Sequence, residues 1–259
     1  MAFGLPLEQF YAQISHTFFI MVRIGALLLV APVFSERSVS ARLRAGLALM
    51  TALLVSGSVP DAGVGLYSWT GVWVLAKQVV IGAALGVTLQ LMFAAVRLAG
   101  EIIGMQMGLS FATFFDPGVG NSPVISRFLN LLVTLLFLVF NGHLWMLALI
   151  AETFHALPIN AAPLHAGGFL YLVSHAGLIF NQGLMLGLPI IALLLCINFT
   201  LGLLNRLTPQ LSIFVVGFPL TLTVGMVALF LLAQTLAPFF EHLMSRVFDH
   251  FSGLVMSLS

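Results

Sequence analysis

Apolar residues along this chain gather in long runs between charge and turn punctuation, near 10–34, 43–59, 66–96, 124–151, 168–204 and 211–237. A membrane-crossing helix takes about 20 apolar residues, so six spans is the simplest count. Pro60-Asp61-Ala62-Gly63 closes the second run, the turn-rich stretch from Leu157-Pro158 to Gly167-Gly168 follows the fourth, and Asn205-Arg206-Leu207-Thr208-Pro209 closes the fifth. These breaks predict helices paired as hairpins. Pro189 and Pro219 lie inside the fifth and sixth runs, and each removes a backbone donor, which predicts kinked helices. Over 238–259, Phe240, Leu243, Val247, Phe251, Leu254 and Leu258 recur at helical spacing opposite Glu241, His242, Arg246 and Asp249. That tail predicts an amphipathic helix on a membrane surface or a partner. No basic n-region opens the sequence and no small-residue cleavage site follows the first run, so that run is expected to stay in the mature protein.

Composition fixes the solvent. Hydrophobic residues make up 61% and charged residues 7%, far below the roughly 25% charged content of soluble domains. With a mean hydropathy of +1.14, the expectation is an all-α integral membrane protein, with residues 1–259 forming one membrane-embedded domain. Nine bases against eight acids leave no basic footprint for nucleic acid. A single cysteine, Cys196, sits in an apolar run as a small hydrophobe. Under six spans, one side receives Arg37, Arg42, Arg44, Arg97, Arg127 and Arg206, and the other only Arg246. The arginine-bearing side is therefore expected to be cytoplasmic, with both termini outside.

Chemistry concentrates in few places. Gly100, Gly104 and Gly108 are spaced by four and form a bare ridge for close helix packing. Directly after Met105, Met107 and Leu109 come Phe111, Phe114, Phe115, Asp116 and Pro117, a segment too rich in turn formers for an unbroken helix. Non-helical backbone with three phenylalanines at membrane depth is tolerated where protein buries it or a cavity receives it, which predicts a buried or re-entrant loop in a pore. Arg23 and Lys77 interrupt apolar runs and Glu101 edges one; such groups face a bundle interior or a polar cavity. Left to lipid in a lone chain, Arg23, Lys77 and the ridge would be costly, so partner subunits are expected to cover them. Enzyme signatures are weak. Gly108-Leu109-Ser110 is followed by Phe111 where a nucleophile turn needs glycine, which argues against an intramembrane serine protease using His143 or His175. Glu152-Thr153-Phe154-His155 lacks the second copy a di-iron bundle requires, the histidines have no metal-ligand spacing, and no phosphate-binding loop is present. No catalytic residue, metal or cofactor is expected. A secondary transporter should show paired inverted repeats, whereas Pro189 and Pro219 fall in adjacent spans.

Arg23-Ile24-Gly25 leading to Ala31-Pro32-Val33-Phe34, the glycine ridge running into Gln106-Met107-Gly108 and Phe115-Asp116-Pro117, and Asn121-Ser122-Pro123-Val124-Ile125-Ser126 resemble the FliR family of flagellar type III export-gate proteins. Asn141-Gly142-His143, Asn205-Arg206-Leu207-Thr208-Pro209-Gln210 and Val216-Gly217-Phe218-Pro219 extend the resemblance in order through nearly the whole chain. Ser38-Val39-Ser40 departs from it, since many members carry proline after the valine. The resemblance implies one copy of the chain in a conical gate with several FliP-type and FliQ-type subunits. That gate would sit in the bacterial inner membrane at the flagellar basal body, higher toward the periplasm than hydropathy suggests. FlhA-type and FlhB-type components would work beside it, and unfolded flagellar proteins would pass through its centre. It further implies that the segment about 104–121 plugs the channel. The turn carrying Arg206, Pro209 and Gln210 is expected to dock neighbouring subunits. A virulence injectisome subunit of the same family is the nearest alternative, although Asp116 to Ser126 looks more flagellar.

Overall fold

A computed structural model describes residues 7–36, 38–60, 63–109, 123–208 and 213–259. Among them the chain is all helix and turn, without a strand. The helices are α1 (Leu7–Val30), α2 (Ala41–Ser56), α3 (Trp69–Gln106), α4 (Val124–Val139), α5 (Gly142–Ala156), α6 (Ala166–His175), α7 (Leu178–Leu207) and α8 (Ile213–Leu258).

Among the described residues, four stretches are long and apolar enough to cross a membrane: Phe10–Val30, Trp69–Gln106, Ala166–Leu207 and Val216–Leu258. A fifth is added if α4 and α5 count together. The six-span expectation is corrected at three points. The second run yields only the 16 residues of α2, about 24 Å at 1.5 Å per residue against a hydrocarbon core of about 30 Å. The run 124–151 is not one helix: α4 ends at Val139 and α5 starts at Gly142. Asn141 takes the left-handed conformation there (φ 56°), which its short polar side chain tolerates better than most, and Gly142 starts the next helix. Finally, the amphipathic tail is no separate element but the end of the 46-residue α8, which passes through both Pro219 and Pro238. Its expected apolar face is buried, with Phe240, Val247, Phe251, Leu254 and Leu258 at 2% exposure or less, while Glu241, His242, Arg246 and Asp249 face outward.

Local signals explain the helix ends. Ser40 caps α2, its hydroxyl accepting from the Leu43 N–H at 3.3 Å. Before it, in the turn Pro32-Val33-Phe34, the Phe34 N–H donates to the Pro32 carbonyl at 2.8 Å around Val33 at φ 69°. A β-branched residue in that γ-turn is strained, since positive φ suits glycine.

The chain divides into two compact units. The first comprises Met1–Gln90, Asn141–Ala176 and Arg246–Ser259; the second comprises Leu91–Phe140 and Gly177–Ser245. In the first, Phe19, Ile20, Ile24, Leu27 and Leu28 of α1 are buried, and α3 approaches α1 closely through glycines. A Cβ on Gly82 would strike the Arg23 carbonyl, and one on Gly86 would lie 2.8 Å from the Val30 Cβ. In the second, Phe93 meets the edges of Phe137 and Phe240, with centroids 5.7 and 6.1 Å apart.

Candidate functional site

In the second unit the site is the C-terminal end of α3. Gly100 lets α4 come close: an added Cβ would stand 2.6 Å from the Ser126 Cα, and the Ser126 hydroxyl donates to the Arg97 carbonyl at 3.1 Å. Gly104 faces Ile125 at an ordinary 3.6 Å. Gly108 has a different task. Its φ of 81° ends the helix, its N–H donates to the Met105 carbonyl, and the Leu109 N–H donates to the Gly104 carbonyl. This pair of bonds is a Schellman cap, which needs a residue in the left-handed region. Of the three ridge glycines, then, one admits a neighbouring backbone, one makes ordinary contact and one terminates the helix.

That division predicts opposite outcomes for two similar substitutions. Gly100→Ala should destabilise by about 1–3 kcal/mol, because the crowding atoms are backbone and cannot turn aside. Gly104→Ala should be neutral or gain up to about 1 kcal/mol from helix propensity. Thermal unfolding of the detergent-purified protein distinguishes them; equal midpoints would contradict the packing.

Two side chains from later helices hold the last carbonyls of α3, which no intrahelical donor reaches. Asn198 of α7 donates through Nδ2 to the Gln106 carbonyl at 3.1 Å and to its Oε1 at 3.2 Å. The Thr221 hydroxyl of α8 has two acceptors for its one proton, the Met107 carbonyl at 3.3 Å and the Phe218 carbonyl of its own helix at 3.2 Å. Met107 is fully buried, and a Cβ on Gly225 would meet its side chain at 2.6 Å, so Met107 packs inside the unit. Met105 is 55% exposed, Leu109 is half-buried, and Glu101 is half-buried beside Gly100. The chain leaves the described residues at Leu109 and returns at Pro123, and the helices on either side, α3 and α4, touch at Gly104 and Ile125. Phe111, Phe114, Phe115, Asp116 and Pro117 lie outside the described residues, as do Pro209 and Gln210. Arg206 is exposed in the last turn of α7.

In the first unit Arg23 is fully buried and its charge is met by acceptors of this chain. Its Nε donates to the Gln78 Oε1 at 2.6 Å, Nη1 to the Thr153 carbonyl at 3.1 Å and hydroxyl at 3.2 Å, and Nη2 to the Leu157 carbonyl at 2.7 Å. The guanidinium also lies over the Phe154 ring, 4.2 Å from its centroid. Thr153 and Leu157 belong to the C-terminal end of α5, so the cation faces the negative end of a helix dipole. Gln78 is one turn before Gly82, whose missing side chain lets α3 approach Arg23. Lys77 donates to Asn160 Oδ1 and to the Ala162 carbonyl, both at 2.9 Å, in the connection following α5. The expectation that these two charges need other subunits is therefore corrected: a helix end and the loop after it supply the acceptors.

Sequence reasoning passed over several of these residues. The pairs Gly82/Gly86 and Gly183/Gly187 have the same four-residue spacing as the recognised ridge. A Cβ on Gly183 would lie 2.7 Å from the Ala95 carbonyl. Asn198 and Thr221, polar residues within apolar runs, carried a weaker signal. Nothing local marked Thr153 or Leu157 as partners of a residue about 130 positions earlier.

Comparison with known proteins places these features in a family. The model for bacterial export proteins, family 1, matches residues 14–247. The flagellar biosynthetic protein FliR of Pectobacterium carotovorum subsp. carotovorum is 54% identical over 247 residues, 95% of each chain. FliR of Escherichia coli strain K12 is 50% identical over 252 residues, 97% of each. FliR of Bacillus subtilis strain 168 is 32% identical over 215 residues, 81% of this chain and 83% of the relative. An all-helical membrane protein matched over most of its length at such identity belongs to the FliR family of bacterial export proteins, a component of the flagellar export apparatus.

Proposed function

We propose that this chain is a core subunit of the gate through which unfolded flagellar proteins cross the bacterial inner membrane at the basal body. It forms the channel with FliP-type and FliQ-type subunits and works beside FlhA-type and FlhB-type components. The observation that carries this reading is the anchored end of α3. A Schellman cap, Asn198 and Thr221 fix the point from which the phenylalanine-rich segment departs, and Gly104 against Ile125 packs α4, which follows its return, on α3. A segment tied at both ends can present Phe111, Phe114 and Phe115 as an apolar constriction that excludes water and ions yet parts for a passing chain. The large apolar residues exposed along α7, such as Phe180, Leu188 and Phe199, supply surface for lipid and neighbouring subunits.

The test is the mass of the intact complex. Solubilised gently through a tag on this chain, it should contain one copy of the chain with several FliP-type and FliQ-type subunits. Arg206→Ala combined with Gln210→Ala should lower the recovery of that complex and motility together, because the turn docks neighbouring subunits. A monodisperse monomer from wild-type membranes would overturn the gate reading. Full assembly and motility in the double variant would reduce the turn to a connector.

A further inference from the structure

In the first unit, α1 and α2 leave an apolar groove of about 450 Å³ between Phe10, Ile14, Phe18 and Met21 on one wall and Leu49 and Leu53 on the other. The helices touch through small residues, the buried Ala48 and Ala52 of α2, with Ala48 facing Gly25. Larger side chains are thereby held apart: Phe10 is 56% exposed and Leu53 58%. A charge stands in line with this groove. Arg42, Gly46, Leu49, Leu53 and Ser56 follow each other at intervals of four and three and so form one stripe of α2. Arg42 is exposed and has no hydrogen-bond or ion-pair partner among the described residues. Gly46 has open space where a side chain would be, so nothing obstructs the path from Arg42 to Leu49.

From these features we infer that the groove seats an anionic phospholipid, with its phosphate at Arg42 and an acyl chain against Leu49, Leu53, Phe18 and Ile14. The length fits: Arg42 to Ser56 is fourteen residues, about 21 Å of helix, and half of a bilayer of about 40–45 Å is one lipid long. Charge complementarity selects the headgroup, since the unpaired Arg42 guanidinium at the end of an apolar furrow, with Arg44 two residues along the same helix, matches a phosphate and an added negative charge better than a zwitterion. A protein helix in the same place would leave Arg42 unpaired unless it brought its own acid.

The test uses the full chain with whatever subunits accompany it from the membrane, examined by native mass spectrometry in mild detergent. The probes are phosphatidylglycerol and phosphatidylcholine with identical acyl chains. Wild type should retain phosphatidylglycerol about fivefold better, the equivalent of the ~1 kcal/mol that one basic residue contributes near anionic lipid. Arg42→Gln should bring the ratio close to one, Arg42→Lys should keep most of it, and Gly46→Phe should lower retention of both lipids by blocking the path. Equal retention by wild type, or an unchanged preference in Arg42→Gln, overturns the assignment. A photo-crosslinking residue at position 53 provides a readout that does not rely on charge variants. A lipid adduct supports the seat, and a discrete protein adduct shows that a subunit occupies the groove instead.

Discussion

Arg23→Ala is expected to empty the membrane of most of this chain. Its guanidinium serves Gln78, Thr153 and Leu157 at once, in a site with no solvent access. Removing it leaves the neutral acceptors of Gln78, Thr153 and Leu157 desolvated and unpaired, at about 1–3 kcal/mol for each group. Against a typical stability of about 5–15 kcal/mol, that is a large share. Arg23→Lys should recover only part of it: a single ammonium at the end of a flexible stem cannot reproduce the planar fork that reaches α3 and the end of α5 together. The level of full-length chain in membranes and the unfolding midpoint after purification measure the effect, with the exposed Arg246→Ala as control. A midpoint for Arg23→Ala equal to that of Arg246→Ala would mean that Arg23 contributes nothing to folding.

Arg23 also marks the limit of what the chain's pattern reveals. An arginine in an apolar run is legible as a group that must be satisfied, and the structure buries Arg23 among acceptors of α3 and α5. Its partners were not legible, because Thr153 and Leu157 are brought near only by the return of the chain after the break at Asn141. The glycine ridge divides in a similar way. A four-residue spacing defines one face of a helix as long as the helix continues, but α3 ends at Gln106, so Gly108 becomes a cap and leaves the face. The tail illustrates the converse. Its helical period correctly gave the buried face of residues 240–258, whereas the break expected between 237 and 238 is absent, since α8 continues through Pro238. Proline deletes a single donor, and within an apolar protein or bilayer the cost of freeing the remaining backbone groups favours continuing the helix.

The largest functional effect is expected at the segment that follows Leu109. Phe111, Phe114 and Phe115 gain nothing from exposure to water, and Asp116-Pro117-Gly118 opposes a helix that would carry them into lipid; the proposed gate offers them a protein-lined axis. On the proposed gate reading, replacing the three phenylalanines with glycine should remove most of the sealing surface while leaving Gly108, Asn198 and Thr221 at the end of α3 in place. Met107 should be retained in that variant, since its side chain packs against Gly225 and its loss would confuse unfolding with leakage. The complex should assemble in normal amounts, conduct ions or small solutes that the parent excludes, and slow growth when overproduced. Asn198→Ala with Thr221→Val should leak less, because the apolar side chains remain while only their anchorage loosens. Normal assembly without added conductance in the triple variant, at matched expression, would place the seal on another element. A leak from the anchor variant equal to that of the triple variant would make position, rather than apolar bulk, the property that closes the channel.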